Sequence, residues 1–554
     1  MQSTPLAKKT TNSWLVSSWA IALIVALPIL SVFYIALFPE ENIWKHLYDT
    51  VLPVYIITTL KLLAGVGFLS VILGVGTAWL VTMCQFPGRR FFEWALLLPF
   101  AVPAYVIAYV YTDILEYSGP VQGFLRDLFG WQTPRDYWFP EIRSLGGAVT
   151  MLTLVLYPYI YLMSRAAFLE QSASLKDASR LLGCSPLQSF FRISLPIARP
   201  SIAVGLSLVS METLNDFGTV DFFAVKSLSA GIFDTWLNMG NLGGAAQIAS
   251  LMMIFVVFLI VGERMSRYKQ QQFHNQDRFK ALATYPLTKG KAALAFLACF
   301  VPLLAGFLIP VGLLIFYSLN YTKQFYTEDF QSHALHSFTL AISASVACLI
   351  IAVLLGYAQR LNPNKRSLKI AINFSSLGYA LPGAVLALGV LVPLAHFDNS
   401  VDAFMRSHFD YSTGLLLSGT VFAVIFAYCV RFLAVSAGAV SSSLNKVTPS
   451  MDMASRSLGM TPMGTLLRVH LPLIKGGLLT SLLVVFVDCM KELPATLILR
   501  PFNYDTLATF VYQYASDQRL EQCALAALLI VAVGIVPVIL LSRSIASSRD
   551  IKPA

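Results

Sequence analysis

Asp177-Ala178-Ser179-Arg180-Leu181-Leu182-Gly183 is followed by Pro186, Arg192, Ile193, Leu195 and Pro196, and nearly the same text returns 276 residues later. The second copy reads Met453-Ala454-Ser455-Arg456-Ser457-Leu458-Gly459, then Pro462, Arg468, Val469, Leu471 and Pro472. About half of the aligned positions from Ala178 to Pro196 are identical. Chance does not produce that in loops of low hydrophobicity, so the chain is a duplication. A polar linker at 263–292 separates a first repeat, 1–262, from a second, 293–554, and the repeated loops occupy 169–196 and 445–472.

Around these loops the chain is apolar. Of 554 residues, 56% are hydrophobic and 12% charged, about half the charged fraction of a soluble domain. Apolar stretches recur near 14–38, 55–83, 94–115, 146–165, 199–219 and 246–262, and again near 293–318, 336–358, 369–395, 414–437, 477–497 and 523–542. Each is long enough to cross about 30 Å of hydrocarbon as a helix, and a backbone in lipid must satisfy its own hydrogen bonds. The expected fold is an all-α polytopic membrane protein with about twelve transmembrane helices in two six-helix repeats. The first stretch, behind Lys8 and Lys9, is too long for a signal-peptide core and is read as a span. The seven cysteines form no CxxC pair and read as small hydrophobes.

Charge sets the orientation. Alternating the loops across the bilayer places the N-terminus, Arg89–Arg90, 166–198, 263–292, 362–368, 438–476 and the C-terminus on one side, with 28 Lys/Arg and 7 Asp/Glu. The other side carries 11 Lys/Arg and 22 Asp/Glu. The basic side is cytoplasmic, so the net charge of +10 is a topology signal and does not call for nucleic acid. The acidic outer face favours cations at its mouth, though it also follows from basic residues simply being held inside. An even number of spans per half makes the repeat parallel, and both loops then face the cytoplasm, ready for two copies of one partner.

The loop has the physics of a docking element. Residues 169–182 are good helix formers, and Gly183 suits a left-handed helix end. Ser185-Pro186 fits the cap and first turn of a second short helix, which carries Phe190 and Phe191, or Leu466 and Leu467 in the other copy. Pro196 and Pro472 are expected to stop that helix before the next span.

The spacing Ala-Ser-x-x-x-Gly, nine residues, then Ile/Val-x-Leu-Pro resembles the EAA loop of bacterial ABC-importer permeases, present here twice. The resemblance implies a type I importer fold and a coupling helix seated in a cytoplasmic ATPase. It assigns coupling to Asp177, Ala178, Ser179, Gly183, Leu195 and Pro196, and to Asp452, Ala454, Ser455, Gly459, Leu471 and Pro472. The family's leading Glu is Asp177 in one copy and Met453 in the other, where Asp452 sits one residue early. No GxxxxGK[ST] loop occurs, so ATP and Mg²⁺ are expected on two copies of a separate ATPase, with no cofactor on this permease, which is not an enzyme.

The stretches Met211–Phe223 and Met490–Phe502, with Tyr504–Thr509, are similar to those of fused two-half ferric-iron permeases. That resemblance implies a bacterial inner-membrane protein with both termini cytoplasmic, working with a periplasmic iron-binding protein docked on 117–145, 220–245 and 498–520. Relatives moving thiamine, phosphonates or similar solutes share much of the pattern. An ion-gradient-driven secondary transporter also fits twelve spans and a parallel repeat, but it would not need the paired loops. A sensing receptor is a third reading.

Glu212 and Glu492 fall at nearly equivalent places in the fifth helix of each half, with Asp216, Asp488 and Lys491 close by. An ionised group at mid-helix costs roughly 2.5–3.5 kcal/mol to insert, so it faces a cavity or a partner. At i, i+4 spacing Glu212 and Asp216 share one helix face, and so do Asp488 and Glu492. These four carboxylates are either hard oxygen ligands along a path for Fe³⁺ or structural partners that hold helices together. His333 and His336 have an HxxH spacing that could bind metal, or are solvated loop residues. Pro99, Pro103, Pro158 and Pro382 are expected to kink the helices they lie in.

Overall fold

The computed structural model describes residues 5–171, 181, 183, 185–268, 285–321 and 327–547. It is almost entirely helical: among the described residues the strands are Cys84–Gln85 and Tyr285–Pro286, which pair in parallel. Among the described residues ten helices are long and apolar enough to cross a membrane, and twelve if each of two sharply bent pairs counts as one span.

The principal helices of the first repeat are α1 (Pro5–Leu37), α2 (Leu52–Met83), α3 (Ala104–Leu115), α4 (Leu145–Glu170), α5 (Leu195–Asn215), α6 (Gly218–Phe222), α7 (Leu228–Phe233) and α8 (Leu242–Tyr268). Those of the second are α9 (Lys289–Leu303), α10 (Ile309–Asn320), α11 (Glu328–Leu361), α12 (Gly383–Phe409), α13 (Val421–Leu444), α14 (Lys475–Lys491), α15 (Pro494–Leu499), α16 (Leu507–Ser516) and α17 (Leu520–Ser547).

The third apolar stretch of each half is broken rather than continuous. Leu98–Ala101 forms a 3-10 turn, Val102 is extended, and Pro103 is the N-cap of α3, so the chain bends by 89°. Leu377–Ala380 forms the matching turn, and Pro382 is the N-cap of α12. The text is partly shared, Leu98-Pro99-Phe100-Ala101-Val102-Pro103-Ala104 against Leu377-Gly378-Tyr379-Ala380-Leu381-Pro382-Gly383, with leucine, alanine and proline in common. Proline disfavours a helical residue before it, which fixes where the break falls. Pro103 and Pro382 therefore begin helices instead of kinking them, and only Pro158 of the four prolines lies inside a long one, α4.

The chain folds into two compact units, and they interleave the two sequence repeats. One comprises Lys45–Gly231, Leu251–Phe325 and Val511–Ala554. In it α2 packs on α4 and α5, while α10 lies along α17. The other comprises Met1–Trp44, Ile232–Ser250 and Tyr326–Phe510. Here α11, α13 and α14 form the packed centre, and α1 lies along α12. The first helix of each repeat thus packs in the unit built mainly from the other repeat.

In the second unit the contact of α1 with α12 depends on a missing side chain, because a Cβ at Gly389 would run into the carbonyl of Pro28. Gly389→Val is therefore expected to destabilise the protein by about 1–3 kcal/mol through overpacking, read as a lowered unfolding temperature in detergent. Gly76→Ala, where an added Cβ meets nothing within 4 Å, is the matched control and leaves that temperature unchanged or higher.

Candidate functional site: coupling loops and broken helices

Both loops are built alike. In the first, Gly183 is left-handed (φ 74°) and Ser185 and Gln188 form a capping box: the Ser185 hydroxyl accepts the Gln188 N–H at 3.3 Å, and the Gln188 side chain accepts the Ser185 N–H at 3.0 Å. Pro186 opens the short helix, and a π turn at Phe190–Ser194 leads into α5. In the second, Gly459 is left-handed (φ 77°), Thr461 accepts the Gly464 N–H at 3.2 Å, and a π turn spans Leu466–His470.

Pro196 does not end its helix. The residues from Pro186 to Asn215 run on as one, because the wide turn absorbs the proline's missing N–H and its ring. In the other loop the chain turns by 78° near Ile474, two residues past Pro472.

Of the expected coupling residues, Asp177, Ala178 and Ser179 lie outside the described residues. Ser455 is buried, its hydroxyl 2.6 Å from that of Thr465, and so ties the two short helices of its loop together. Ala454, Gly459 and Pro472 are exposed, while Leu195, Pro196 and Leu471 are half-buried. Each aromatic or leucine pair splits: Phe190 turns in against Trp79 and Leu466 is buried, whereas Phe191 and Leu467 face out. With Leu187, Leu181, Met453, Leu458 and Met463 also exposed, both loops present apolar side chains.

Asp452 does not point outward. Its carboxylate lies 2.9 Å from the Arg360 guanidinium and 2.6 Å from His470 Nε2. Arg360 also donates to the carbonyls of Leu444 (2.6 Å) and Val447 (2.8 Å), and Tyr357 donates to that of Pro462 (2.6 Å). The end of α11 thereby holds the second loop at several points. Arg360 and His470 were not singled out from the sequence, although an arginine closing an apolar span is a visible signal.

The four candidate carboxylates resolve into two kinds. At the offset of 276, Asp216 matches Glu492 and Glu212 matches Asp488, so Glu212 and Glu492 are not equivalents. Asp216 and Glu492 are the residues at which α5 and α14 end, both with extended backbone (ψ 125° and 120°). The helix does not continue through them, so the expected shared i, i+4 faces stop at the break.

Each carboxylate caps the short helix that follows. Asp216 accepts the N–H of Thr219 (3.1 Å) and Val220 (3.2 Å) and the Thr219 hydroxyl (3.0 Å). Glu492 accepts the N–H of Ala495 (3.2 Å) and Thr496 (3.4 Å) and the Thr496 hydroxyl (3.2 Å). Glu492 also meets Arg431 of α13 at 3.3 Å, with both side chains under 10% exposed. A Cβ at Gly383 would lie 2.7 Å from Glu492 Oε1, so glycine there makes room for the pair. Glu212 and Asp488 stand one turn before their breaks, with Lys491 Nζ 3.6 Å from Asp488.

The histidines of the HxxH pattern lie in α11 and do not converge. His336 stacks on Tyr504 at 3.8 Å, and His333 packs on Phe510. Among the described residues no group of three His, Cys, Asp or Glu side chains could hold a metal ion.

Residues 70–268 and 348–550 match the model of binding-protein-dependent transport system inner membrane components. The Fe(3+)-transport system permease protein FbpB 2 of Haemophilus influenzae is 25% identical over 88% of each chain. The ferric transport system permease protein FbpB of Actinobacillus pleuropneumoniae is 24% identical over 87% of this chain and 69% of its own. The half-sized molybdenum transport system permease protein ModB of Escherichia coli is 25% identical over 39% of this chain and 94% of its own. The chain belongs to the family of binding-protein-dependent transport system inner membrane components, as a multi-pass protein that carries the family domain twice.

The Arg431–Glu492 pair generates a stability prediction. Glu492→Gln keeps an acceptor for the capping N–H groups but removes the negative charge that faces the buried Arg431 guanidinium, at a cost of up to roughly 3–5 kcal/mol. Arg431→Met combined with Glu492→Gln is expected to recover most of that loss in a double-mutant cycle of thermal unfolding in detergent.

Proposed function

We propose that this permease is the channel subunit of an ATP-driven importer for ferric iron, with halves 1–262 and 293–554 as the units of duplication. The likeness to a ferric permease over 88% of each chain carries this reading, whereas the molybdenum permease matches 39% of this chain. Two ATPases sit beneath the two loops, and a periplasmic iron-binding protein delivers the ion from the opposite side. Both termini are cytoplasmic.

Two groups of residues have roles in this scheme. The loops 169–196 and 445–472 take the load from the ATPases through their exposed apolar side chains. Asp216 and Glu492 serve the helix breaks, which leaves Glu212 and Asp488 as the first candidates for carboxylates along the path. On the outer side the loop after Pro120–Phe129 is well ordered: Trp131 stacks between Phe129 and Tyr137 at 4.7 and 4.6 Å. Two backbone N–H groups, from Thr133 and Gln132, hold the Asp136 carboxyl below its ordinary range. Trp138 projects from it, 85% exposed, as an anchor for the binding protein.

Two measurements check the reading. Cells lacking only this chain should regain ATP-dependent uptake of radiolabelled ferric iron when it is restored; uptake of a phosphonate- or thiamine-like solute instead would replace the substrate. Leu458→Asp with Leu467→Asp puts charge on the exposed face of the second loop. It is expected to abolish copurification of the ATPase while leaving the permease's own unfolding free energy within about 0.5 kcal/mol of the parent, as for ordinary surface changes.

A further inference from the structure

We propose that a small cavity where the second loop meets the end of α11 binds a phosphate group, held between the guanidinium groups of Arg360 and Arg456. The site is read from this chain's own residues; that its occupant stiffens a coupling joint rests on the importer reading above.

The cavity brings the residues together. Tyr357 and Arg360 of α11 wall it on one side, and Asp452, Arg456, Pro462 and Thr465 of the loop on the other. All six lie within the second compact unit. Its volume is about 40 Å³, roughly that of three water-sized spheres. A small oxyanion fits such a space, and a nucleotide does not.

Charge decides which ion belongs there. Asp452 and Arg456 stand four residues apart on the helix Pro449–Ser457, the spacing at which acid and base pair along a helix face. They do not pair here. The Asp452 carboxylate is drawn to Arg360 at 2.9 Å and to His470 Nε2 at 2.6 Å. That leaves the exposed Arg456 guanidinium without an ion pair or a hydrogen bond among the described residues. The Tyr357 hydroxyl is committed to the carbonyl of Pro462, and that of Thr465 to Ser455 and to the carbonyl of Thr461. Two guanidinium groups against one carboxylate give the wall one positive charge in excess. An arginine fork matches phosphate oxygens two bonds at a time.

The first repeat does not build this site. At the offset of 276, Tyr357 and Arg360 correspond to Val81 and Cys84, and Asp452 to Lys176. Each chain therefore has one such site, at the joint where α11 holds the second loop. A phosphate there adds a bridge from Arg456 of the loop to Arg360 of α11, and so restrains the loop through which the ATPase acts.

The test uses the purified full-length chain in detergent, titrated with inorganic phosphate against chloride at equal ionic strength. Phosphate is expected to raise the unfolding temperature saturably, as a ligand of the folded state does. Arg456→Gln changes an exposed side chain that bonds to nothing, so its unfolding temperature in chloride should equal the parent's. Its phosphate affinity should fall by roughly ten- to a hundredfold, the worth of hydrogen bonds to a charged group. Micelles doped with phosphatidylglycerol instead of phosphatidylcholine separate the two sources. An Arg456-dependent rise with that lipid alone assigns the phosphate to a headgroup, and one with inorganic phosphate assigns it to the free ion. No rise with either, or a rise of parental size in Arg456→Gln, overturns the site. Those results leave the importer reading standing, since it is decided by ferric uptake in cells.

Discussion

A helix that stops inside an apolar environment must find partners for the backbone groups it frees, and that constraint shapes both repeats. The chain breaks after Asn215 and after Lys491, and in each case the residue at the break supplies its own carboxylate to the N–H groups of the next short helix. The following segment is anchored in the same manner. Leu228 N–H donates to the Thr59 hydroxyl at 2.9 Å, and Leu507 N–H donates to the Ser337 hydroxyl at 2.7 Å. Thr59 and Ser337 belong to α2 and α11, the long second helices of the two repeats. The irregular segments are thus stitched to rigid rods by side chains that duplication placed twice.

Duplication fixed the frame, and divergence gave the second repeat charged pairs at positions where the first has other partners. Glu492 is one methylene longer than Asp216, and besides capping it reaches Arg431, whose match at the offset of 276 is Val155. Asp452 and His470, which hold the second loop against Arg360, correspond to Lys176 and Ser194. A buried pair is weak evidence for added stability, because desolvation offsets most of the attraction. Its better attested use is to fix register. Here it sets the position of α13 against the break after α14, and of the second loop against the end of α11.

Hydropathy and parity made the spans legible, because crossing lipid leaves a composition signal that survives without any knowledge of packing. The paired loops were legible because their glycines and prolines do local work at φ values and caps that sequence records. The breaks were not read, although Pro103, Pro382 and Pro494 mark them, because hydropathy averages over the one residue that matters. For the same reason Glu212 with Asp216, and Asp488 with Glu492, were placed on continuous helix faces that end at the second member. The interleaving of α1 with α12 had no sequence signal beyond a glycine, since lipid and protein are equally apolar neighbours for such a helix.

The long second helices connect the two ends of this arrangement. α11 has 34 residues and so is about 50 Å long, enough to pass through the bilayer and beyond it. At one end Arg360 grips Asp452 and the carbonyls leading into the second loop; toward the other, Ser337 caps α16. α2 repeats the design, with Trp79 against Phe190 of the first loop and Thr59 on α7. Close-packed helices do not deform gradually under load but shift as bodies. In the proposed importer, a displacement imposed on either loop would be delivered by a rod to the segment just past the break, which is where the carboxylate caps lie. The duplication therefore carried both ends of each rod, its contact with the loop and its contact past the break, as one unit.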